Sequence, residues 1–396
     1  MKILFLTPRD SKKNLGGVEG HVRILTEELE RRGHSVKEIS LDESTKVTPC
    51  SARSHLCKLQ AWGYLWNKRD LFKWADVVHV HDVFWWWLPF GLLNLLGVWG
   101  DEGNRGLFKG SWRNLEDFRG MKRGRPAFIT FHGWEGVCPP SWSAVLQKKL
   151  AAFLSDGTIG VGRFFEKWYG VETDRTVWGA LAPKYTSFVS WSSSTQPKSV
   201  TSGFGRASVF LHEQKYGLVR KIVFLGRMEK VNGVEVLLKA LDRKDGPLQR
   251  QRTVLFRFIF VGEGSYRKQA EKFGKVTGMV KDPQKYLVDA DIVITSSYMS
   301  MLEAAAMGKP VIAIGNSELK EDYLNCHPLR KWMRVCKNSE ELVGRIASLQ
   351  LRKDAIRAAQ DWAVGQTPER LADVYEGLWG TSTRRYKKVQ EGIRRD

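Results

Sequence analysis

The sequence predicts an α/β protein made of two Rossmann-like, doubly wound domains that face a cleft. Short apolar runs typical of buried parallel strands alternate with amphipathic helical segments in both halves of the chain. A Ser- and Thr-rich stretch at 186–208 separates the two series, and the length of 396 residues exceeds what one core normally supports. We therefore expect an N-terminal domain at 1–183, a linker or insertion at 184–215, a C-terminal domain at 216–365, and a C-terminal helix with a basic tail at 366–396.

The first forty residues predict a strand, a glycine loop, a helix and a second strand. Ile3–Leu6 is a short apolar run suited to a buried parallel strand. After the loop, apolar residues recur at helical spacing, and Arg31, Arg32 and Gly33 indicate the end of that helix. Two more strands are expected at the β-branched and aromatic runs Asp76–Val80 and Ala127–Phe131.

The second half repeats this alternation. Strands are predicted from the apolar runs that begin at Lys221, Phe256, Ala290 and Pro310. Helices are predicted at Val234–Leu241 and Met301–Met307. A last helix carries its apolar residues on one face up to Trp379, with Thr367 as N-cap and Pro368 as its first residue.

A tryptophan-rich stretch, His79–Gly100, has no charged residue between Val83 and Trp99. This uncharged run is shorter than the roughly 20 residues that a membrane-spanning helix needs, and it contains Pro89. Helical spacing predicts that part of it is core, through Leu92, Leu95, Leu96 and Trp99. The consecutive Trp85, Trp86 and Trp87 point in different directions, so part of the stretch is expected to be exposed, for sugar stacking or insertion at a membrane interface.

Charge and cysteine content narrow the function classes. The formal net charge of +20 predicts an anionic partner: nucleic acid, acidic lipid headgroups or a phosphorylated ligand. No nucleic-acid recognition motif is present. The five cysteines form no C-x-x-C pair, so neither a zinc site nor a disulfide framework is indicated. Because the N-terminal MKILFLTPRD becomes charged too early for a signal peptide, we expect a cytoplasmic protein.

Three segments contain residues suited to binding phosphate. LGGVEGHV places Gly16 and Gly17 before a helix, where backbone amides can approach an anion, although for this motif alone a tight turn without a ligand is the better interpretation. GRMEKVNG places Arg227 and Lys230 after a strand. In SSYMSMLEAAAMGKPVIA, Glu303 near a helix start either binds ribose hydroxyls or completes a capping box that begins at Ser300.

Taken together, the ordered motifs resemble the retaining GT-B glycosyltransferases of glycosyltransferase family 4. The resemblance covers roughly Met1 to Ala313 and the terminal helix. It implies two Rossmann-like domains, a C-terminal helix that closes back on the first, and transfer of a sugar from a nucleotide-diphosphate sugar. The motifs are GGVEGHVRILTEELERRGHSV, ADVVHVHD, AFITFHGWEG, KIVFLGRMEKVNGVEVLL, FIFVGEGSYRK, VTGMV and ADIVITSS followed by MLEAAAMGKPVIA.

Site residues follow from the resemblance by position. His132 matches the histidine near the transferred sugar, Arg227 matches the arginine of the diphosphate site, assisted by Lys230, and Glu303 matches the ribose-binding glutamate. Donor binding is further implied for Gly16, Gly17, Gly262, Ser300, Met301 and Leu302. The acceptor-binding domain places His81, Trp85, Trp86 and Trp134 near an acceptor, either a glycan or a lipid-linked molecule, and an anionic membrane surface is a further expected partner.

Two positions depart from the family pattern. Asn232 stands where the family has a lysine, and Thr295 stands eight residues before Glu303, where the family has the first glutamate of the pair. A catalytically degenerate nucleotide-sugar-binding protein is therefore the alternative. No carboxylate pair of the retaining-hydrolase kind is evident. The DAD triplet at Asp289–Asp291 is read as structural, so neither a metal nor a cofactor is expected.

Overall fold

The computed structural model describes residues 1–42, 55–95, 125–185, 218–242, 254–348 and 352–393. The chain divides into two units, Met1–Val177 with Glu369–Asp396, and Trp178–Pro368. Each unit is built on its own six-stranded parallel sheet. The α/β class with two Rossmann-like sheets is therefore confirmed.

The first unit has the strand order β2-β1-β3-β4-β5-β6. Its strands are β1 (Lys2–Thr7), β2 (Ser35–Ser40), β3 (Val77–His81), β4 (Ala127–Phe131), β5 (Gly157–Val161) and β6 (Arg175–Val177). Its helices are α1 (Gly17–Arg31), α2 (His55–Asn67), α3 (Arg69–Trp74), α4 (Phe84–Leu95), α5 (Trp142–Leu154) and α6 (Phe164–Tyr169). The predicted strands and the first helix lie within about a residue of these bounds, because continuous apolar runs and a glycine after Arg32 define them locally.

The second unit has a sheet with the remaining six strands. They are β7 (Leu218–Leu225), β8 (Val254–Val261), β9 (Gly274–Val276), β10 (Ile292–Ile294), β11 (Val311–Ile314) and β12 (Arg334–Cys336), in the order β12-β11-β10-β7-β8-β9. The helices are α7 (Val234–Leu241), α8 (Arg267–Ala270), α9 (Gln284–Leu287), α10 (Tyr298–Ala306), α11 (Glu318–Asn325), α12 (Ser339–Ala347) and α13 (Lys353–Val364), with 3₁₀ turns at Lys230–Asn232 and Pro328–Lys331. The long α14 (Pro368–Ile393) follows.

Aspartates fix the amino ends of both sheets. In each case, an aspartate just before a strand accepts a hydrogen bond from a backbone amide of a neighbouring strand. Asp76 binds Lys2 N, Asp156 binds Ala127 N, Asp174 binds Thr158 N and Asp291 binds Lys221 N, all at 2.7–2.8 Å. Asp291 is thus structural, as the sequence predicted, and Asp289 pairs with Lys221 Nζ at 3.2 Å.

The C-terminal helix α14 packs on the first unit through the predicted apolar face. Leu371, Tyr375, Leu378 and Trp379 are buried. Arg32, directly after α1, holds the first turns of α14 through hydrogen bonds. It donates to Asp373 at 2.7 Å, to the carbonyl of Glu369 at 2.8 Å and to Glu376. The fully buried indole of Trp379 indicates that α14 completes the core of the first unit rather than covering its surface.

The helix α4 contains the consecutive tryptophans and corrects one prediction. Leu92 is 48% exposed, so it is not a core residue, whereas Phe90 is buried and stacks on Phe72 with 5.2 Å between ring centroids. The buried polar residue Asn94 bonds the backbone of Arg125 twice, at 2.7 and 2.8 Å. The side chains of Trp85, Trp86, Trp87 and Leu95, together with Leu96 and Trp99, lie outside the described residues.

None of the helices that the structure describes combines the length and apolar character needed to span a membrane. The linker predicted at 184–215 falls almost wholly on residues that are not described.

Candidate functional site

Histidines gather at the carboxyl ends of the central strands of the first unit. His79 and His81 close β3, His132 follows β4, and His21 lies on α1. His81 Nδ1 and His132 Nε2 are 2.9 Å apart, and the ring centroids of His21 and His132 are 4.8 Å apart. Because strands of a parallel sheet end at one edge, the sequence motifs HVHD and FHG come together there.

A directed chain of hydrogen bonds joins these residues to α14. The Trp379 indole can only donate, and it bonds His79 Nδ1 at 3.1 Å. A neutral His79 then carries its proton on Nε2 and donates to Thr130 Oγ1 at 2.8 Å. We assign the Thr130 hydroxyl as donor to Tyr375 Oη at 2.8 Å, and Tyr375 as donor to His21 Nε2 at 2.9 Å. The hydrogen bonds thus link Trp379 to His21 through side chains on β3, β4 and α14.

Burial keeps the histidines neutral. Loss of hydration, reinforced by the neighbouring imidazoles, lowers the pKa of His21, His79 and His81 well below the usual value. Burial lowers the pKa of His132 to about 3. Because none of the four imidazoles takes up an extra proton at neutral pH, they form a polar cluster without net charge.

The pair His81–His132 orients the second ring. His81 Nε2 is buried and has no hydrogen-bond partner in the described part of the chain. We assign the shared proton to His81 Nδ1, since the other arrangement would bury an N–H donor without an acceptor. His132 then accepts at Nε2 and carries its proton on Nδ1. His81, predicted to bind the acceptor, is fully buried and bonds His132, so its contact with an acceptor stays a prediction.

Asp82 is a residue that the sequence analysis did not select. It follows β3 with φ 58°, a left-handed conformation uncommon outside glycine, and its Oδ1 accepts the backbone N–H of His132 at 2.9 Å. Burial raises the pKa of Asp82 to about 6, against the opposing charge of Lys148. Such strained, perturbed carboxylates often lie at functional sites. The only sequence signal was its position after a strand.

The Glu19 side chain fills part of the space beside the glycine loop that precedes α1. Gly16 is the N-cap of α1, and an added Cβ there would lie 2.1 Å from Glu19 Oε2, whereas Gly17 has open space around it. Glu19 is itself buried. A phosphate at this helix end would meet the Glu19 carboxylate, so the geometry suits an uncharged hydroxyl group better than a phosphate. Trp134, the fourth predicted acceptor residue, is half-buried beside His132 in sequence.

In the second unit, the loop after β7 presents Arg227 on a fixed backbone. The Arg227 carbonyl accepts from Asn232 Nδ2 at 2.9 Å, and Met228 N donates to Glu263 O at 2.8 Å. The side chain of Arg227 is exposed. Asn232, which stands in place of the family lysine, is buried and therefore stabilises the loop instead of supplying a charge.

Gly262 supports this loop by close contact. Its φ is +148°, and an added Cβ would lie 2.0 Å from the Gly226 carbonyl oxygen. Gly262 N donates to Gly278 O at 3.1 Å. The predicted donor-binding glycine is thus a backbone contact behind Arg227. Lys230 opens the 3₁₀ turn with 78% of its side chain exposed and lies 4.0 Å from Glu235.

The start of α10 differs from the predicted capping box. The N-cap is Ser297, so Ser300 lies in the first turn and Glu303 in the second. Met301 N donates to Ser297 O at 2.9 Å, and Met301 and Leu302 are fully buried. Ser297 gives no side-chain cap, so the amides of Met299 and Ser300 are the ones left for an anion at this helix end. The capping box that begins at Ser300 is therefore wrong, because the helix starts three residues earlier than expected.

Glu303 and Thr295 differ in their surroundings. The pKa of the Tyr185 phenol is raised, mainly by burial and further by the negative charge of the Glu303 carboxylate. Glu303 itself is half-buried. Thr295 is fully buried directly after β10, and its hydroxyl has no hydrogen-bond partner among the described residues. Thr295 thus belongs to the protein interior.

Lys320 is the second residue that the sequence did not single out. It lies in the first turn of α11, is only 3% exposed, and its Nζ is 4.3 Å from the centre of the Tyr323 ring. Burial, with a further contribution from Arg227, lowers the pKa of Lys320 to about 7. Its sequence context, SELKED, resembles an ordinary solvated helix.

The described residues contain no group of three or more His, Cys, Asp or Glu side chains arranged to hold a metal ion.

The family comparison gives a match within the second unit. Residues 219–350 match the family model for Glycosyl transferases group 1. This range includes the Arg227 loop, the start of α10 and Lys320. No curated protein sequence matches the chain.

Solved structures identify the fold. A glycosyltransferase from Rickettsia africae ESF-5 is 16% identical, with a TM-score of 0.58, over 96% of this chain and 98% of that one. Anabaena Alr3699/HepE in complex with UDP and glucose is 14% identical, with a TM-score of 0.57, over 96% and 100%. WaaG, a glycosyltransferase involved in lipopolysaccharide biosynthesis, is 14% identical, with a TM-score of 0.55, over 94% and 99%. The chain has the GT-B fold.

Proposed function

We propose that the protein is a glycosyltransferase that moves a sugar from a nucleotide-diphosphate sugar to an acceptor. The observation that carries this proposal is the domain match at 219–350, which falls on a sheet edge bearing Arg227 and the open amides of α10. A guanidinium and a helix N-terminus are suited to a diphosphate leaving group. Anabaena HepE, of the same fold, has been crystallised with UDP-glucose.

In this proposal, the donor is held by the second unit. Arg227 and the amides of Met299 and Ser300 bind the diphosphate, and Glu303 accepts hydrogen bonds from the ribose hydroxyls while it also contacts Tyr185. Binding these oxygens more tightly as their charge grows lowers the barrier to departure of the diphosphate. Neither a metal nor a cofactor has a step in this scheme.

His132 is the proposed sugar-side residue of the first unit. Its imidazole is neutral at pH 7 and, with Nε2 occupied by His81, offers an Nδ1–H donor. A neutral donor can bind a sugar hydroxyl without attracting the diphosphate. The proposed reaction retains the anomeric configuration of a hexosyl group, as in glycosyltransferase family 4. NMR of the first-formed product would test this, because an inverted anomer contradicts it.

A catalytically degenerate sugar-nucleotide-binding protein is the second candidate. The buried Thr295 favours it, since the family's first glutamate, which contacts the donor sugar, has no counterpart there. Such a protein would bind the nucleotide sugar but release neither free sugar nor a glycosylated product. Incubation with radiolabelled nucleotide sugars distinguishes the two candidates.

A cytoplasmic protein that binds peripherally to membrane is the proposed location, with a glycan or a lipid-linked molecule as acceptor. The charge of +20 and the tryptophans on α4 support it. Replacing both Trp85 and Trp86 by serine should reduce sedimentation with anionic liposomes. Unchanged sedimentation of that variant would contradict membrane insertion.

Calorimetric titration with UDP, GDP and ADP tests the donor site. We expect one nucleotide to bind, and Arg227→Ala to weaken that binding roughly 10- to 100-fold through loss of a charge-assisted contact. The control is Arg257→Ala, an exposed arginine on β8 that leaves the Arg227 loop intact. Equal affinity of both variants and the wild type would contradict the proposed site.

A further inference from the structure

Lys320 is a buried lysine for which the described part of the chain provides no anionic partner. Its side chain is almost wholly enclosed, with 3% of the residue exposed. Within the described residues, the ammonium forms neither an ion pair nor a hydrogen bond, and its recorded contact is the face of the Tyr323 ring at 4.3 Å. Burying an ammonium in this way is costly unless a ligand supplies the missing charge.

The surroundings of Lys320 link it to the Arg227 loop. Asn316, in the segment before α11, donates to Lys230 O at 2.7 Å. An added Cβ on Gly233 would lie 2.5 Å from Ile314, so the end of this loop packs directly on the end of β11. Two cations from different elements, Lys320 and Arg227, are therefore held at the same edge of the sheet.

The other candidate cations of this loop do not occupy that place. Lys230 has 78% of its side chain exposed and lies beside Glu235 at 4.0 Å. Asn232 is neutral, buried and bonded to the Arg227 carbonyl. The loop therefore contributes one fixed arginine but no buried second charge.

We propose that Lys320 supplies the second cation of the donor site, and that it and Arg227 together bind the diphosphate of the nucleotide donor. The inference rests on the proposed function, because the ligand is the diphosphate of the same site. It assigns the task of the family lysine, absent at Asn232, to a residue from another element. Burial and the charge of Arg227 both favour the neutral form of the Lys320 amine.

Binding of a diphosphate should favour the protonated form of Lys320. Burial and the Arg227 charge lower the pKa of Lys320 to about 7, and a bound anion opposes both effects. Tyr323, whose ring Lys320 contacts, and the neighbouring Tyr298 and His327 stay neutral across the tested range, since burial raises the pKa of Tyr298 and Tyr323 and lowers that of His327 to about 3. Affinity for the nucleotide should therefore fall as the pH rises from 7 to 9.

The experiment is calorimetric titration of UDP, GDP, ADP and inorganic pyrophosphate at pH 7, 8 and 9. We expect Lys320→Met to weaken binding roughly 10- to 100-fold at pH 7 and to remove its pH dependence between pH 7 and 9. Lys320→Arg should restore much of the affinity, with a flat profile, because arginine stays charged. The matched control is Lys309→Met, a partly buried lysine that donates to Val288 O at 2.8 Å at the opposite end of β11.

The outcomes separate the two proposals. Nucleotide binding that is lost in Arg227→Ala but unchanged in Lys320→Met supports the donor site and overturns the role of Lys320. A large loss in Lys230→Met with none in Lys320→Met overturns it in the same way. Pyrophosphate binding that depends on Lys320, without binding of any nucleotide, supports the paired cations and contradicts the nucleotide donor. A wild-type protein that binds none of the four ligands contradicts both.

Discussion

The buried polar groups at the carboxyl ends of the two sheets differ in charge. In the first unit, four histidines are neutral and each forms a side-chain hydrogen bond: His21 with Tyr375, His79 with Thr130, and His81 with His132. In the second, Lys320 is buried near the charge of Arg227, and no carboxylate pairs with its ammonium among the residues that the structure describes. A hydrogen-bonded network of neutral groups stabilises the fold, whereas a buried charge that is not compensated indicates a place for a ligand. The first sheet edge therefore carries its polar groups without net charge, whereas the second presents positive charge that an anion would compensate.

Lys320→Met should have the largest effect on stability if this contrast is correct. The pKa of Lys320 is lowered from 10.5 to about 7, so the folded state binds its proton less tightly than the unfolded state. The penalty is complete below pH 7, declines as pH rises to 10.5, and has an upper bound of about 5 kcal/mol. The variant should therefore be more stable than the wild type at pH 6.5 and similar at pH 10.5.

Urea unfolding at the two pH values measures this difference. Lys309→Met serves as control, because Lys309 has a carbonyl partner. A Lys320→Met protein that is less stable at pH 6.5 would show that the lysine is structural and would remove the contrast between the two sheets.

Trp379→Ala should have the next largest effect, by opening a cavity in the first unit. Trp379 is fully buried and donates to His79 Nδ1 at 3.1 Å. The loss of packing should cost about 3–5 kcal/mol in the free energy of unfolding. Trp142→Ala is the matched control, since Trp142 is 78% exposed and should change stability little. Equal unfolding curves for both variants would mean that α14 does not complete this core.

Tyr375→Phe should have a smaller effect, because it removes one hydroxyl from the hydrogen-bonded chain and leaves the ring in place. The Thr130 hydroxyl and His21 Nε2 would each lose a partner. We expect a loss of about 1–3 kcal/mol in unfolding free energy. Nucleotide affinity should stay unchanged, because the residues proposed to bind the donor lie in the other unit. A large loss of UDP binding with unchanged stability would instead give the histidine network a part in donor recognition.

The sequence by itself determined most elements of the fold. Val234–Leu241 and Ala127–Phe131 coincide with a helix and a strand because apolar runs and turn glycines specify them locally. The GT-B fold, expected from ordered motifs, was confirmed. The predicted start of α10 was wrong by one turn, since Ser300 and Ser297 are both suitable N-caps and local chemistry cannot choose between them.

Tertiary structure alone decided the environment of the polar side chains. Leu92, on a helix of nearly uniform hydrophobicity, is exposed while Asn94 is buried, because contacts with the segment before β4 select the inner face. His81 is enclosed rather than presented to a ligand, and Lys320, in a charged helix, is buried beside Arg227. Burial and charge proximity arise from residues far apart in the chain, so the pKa values that follow from them are not encoded in any local motif.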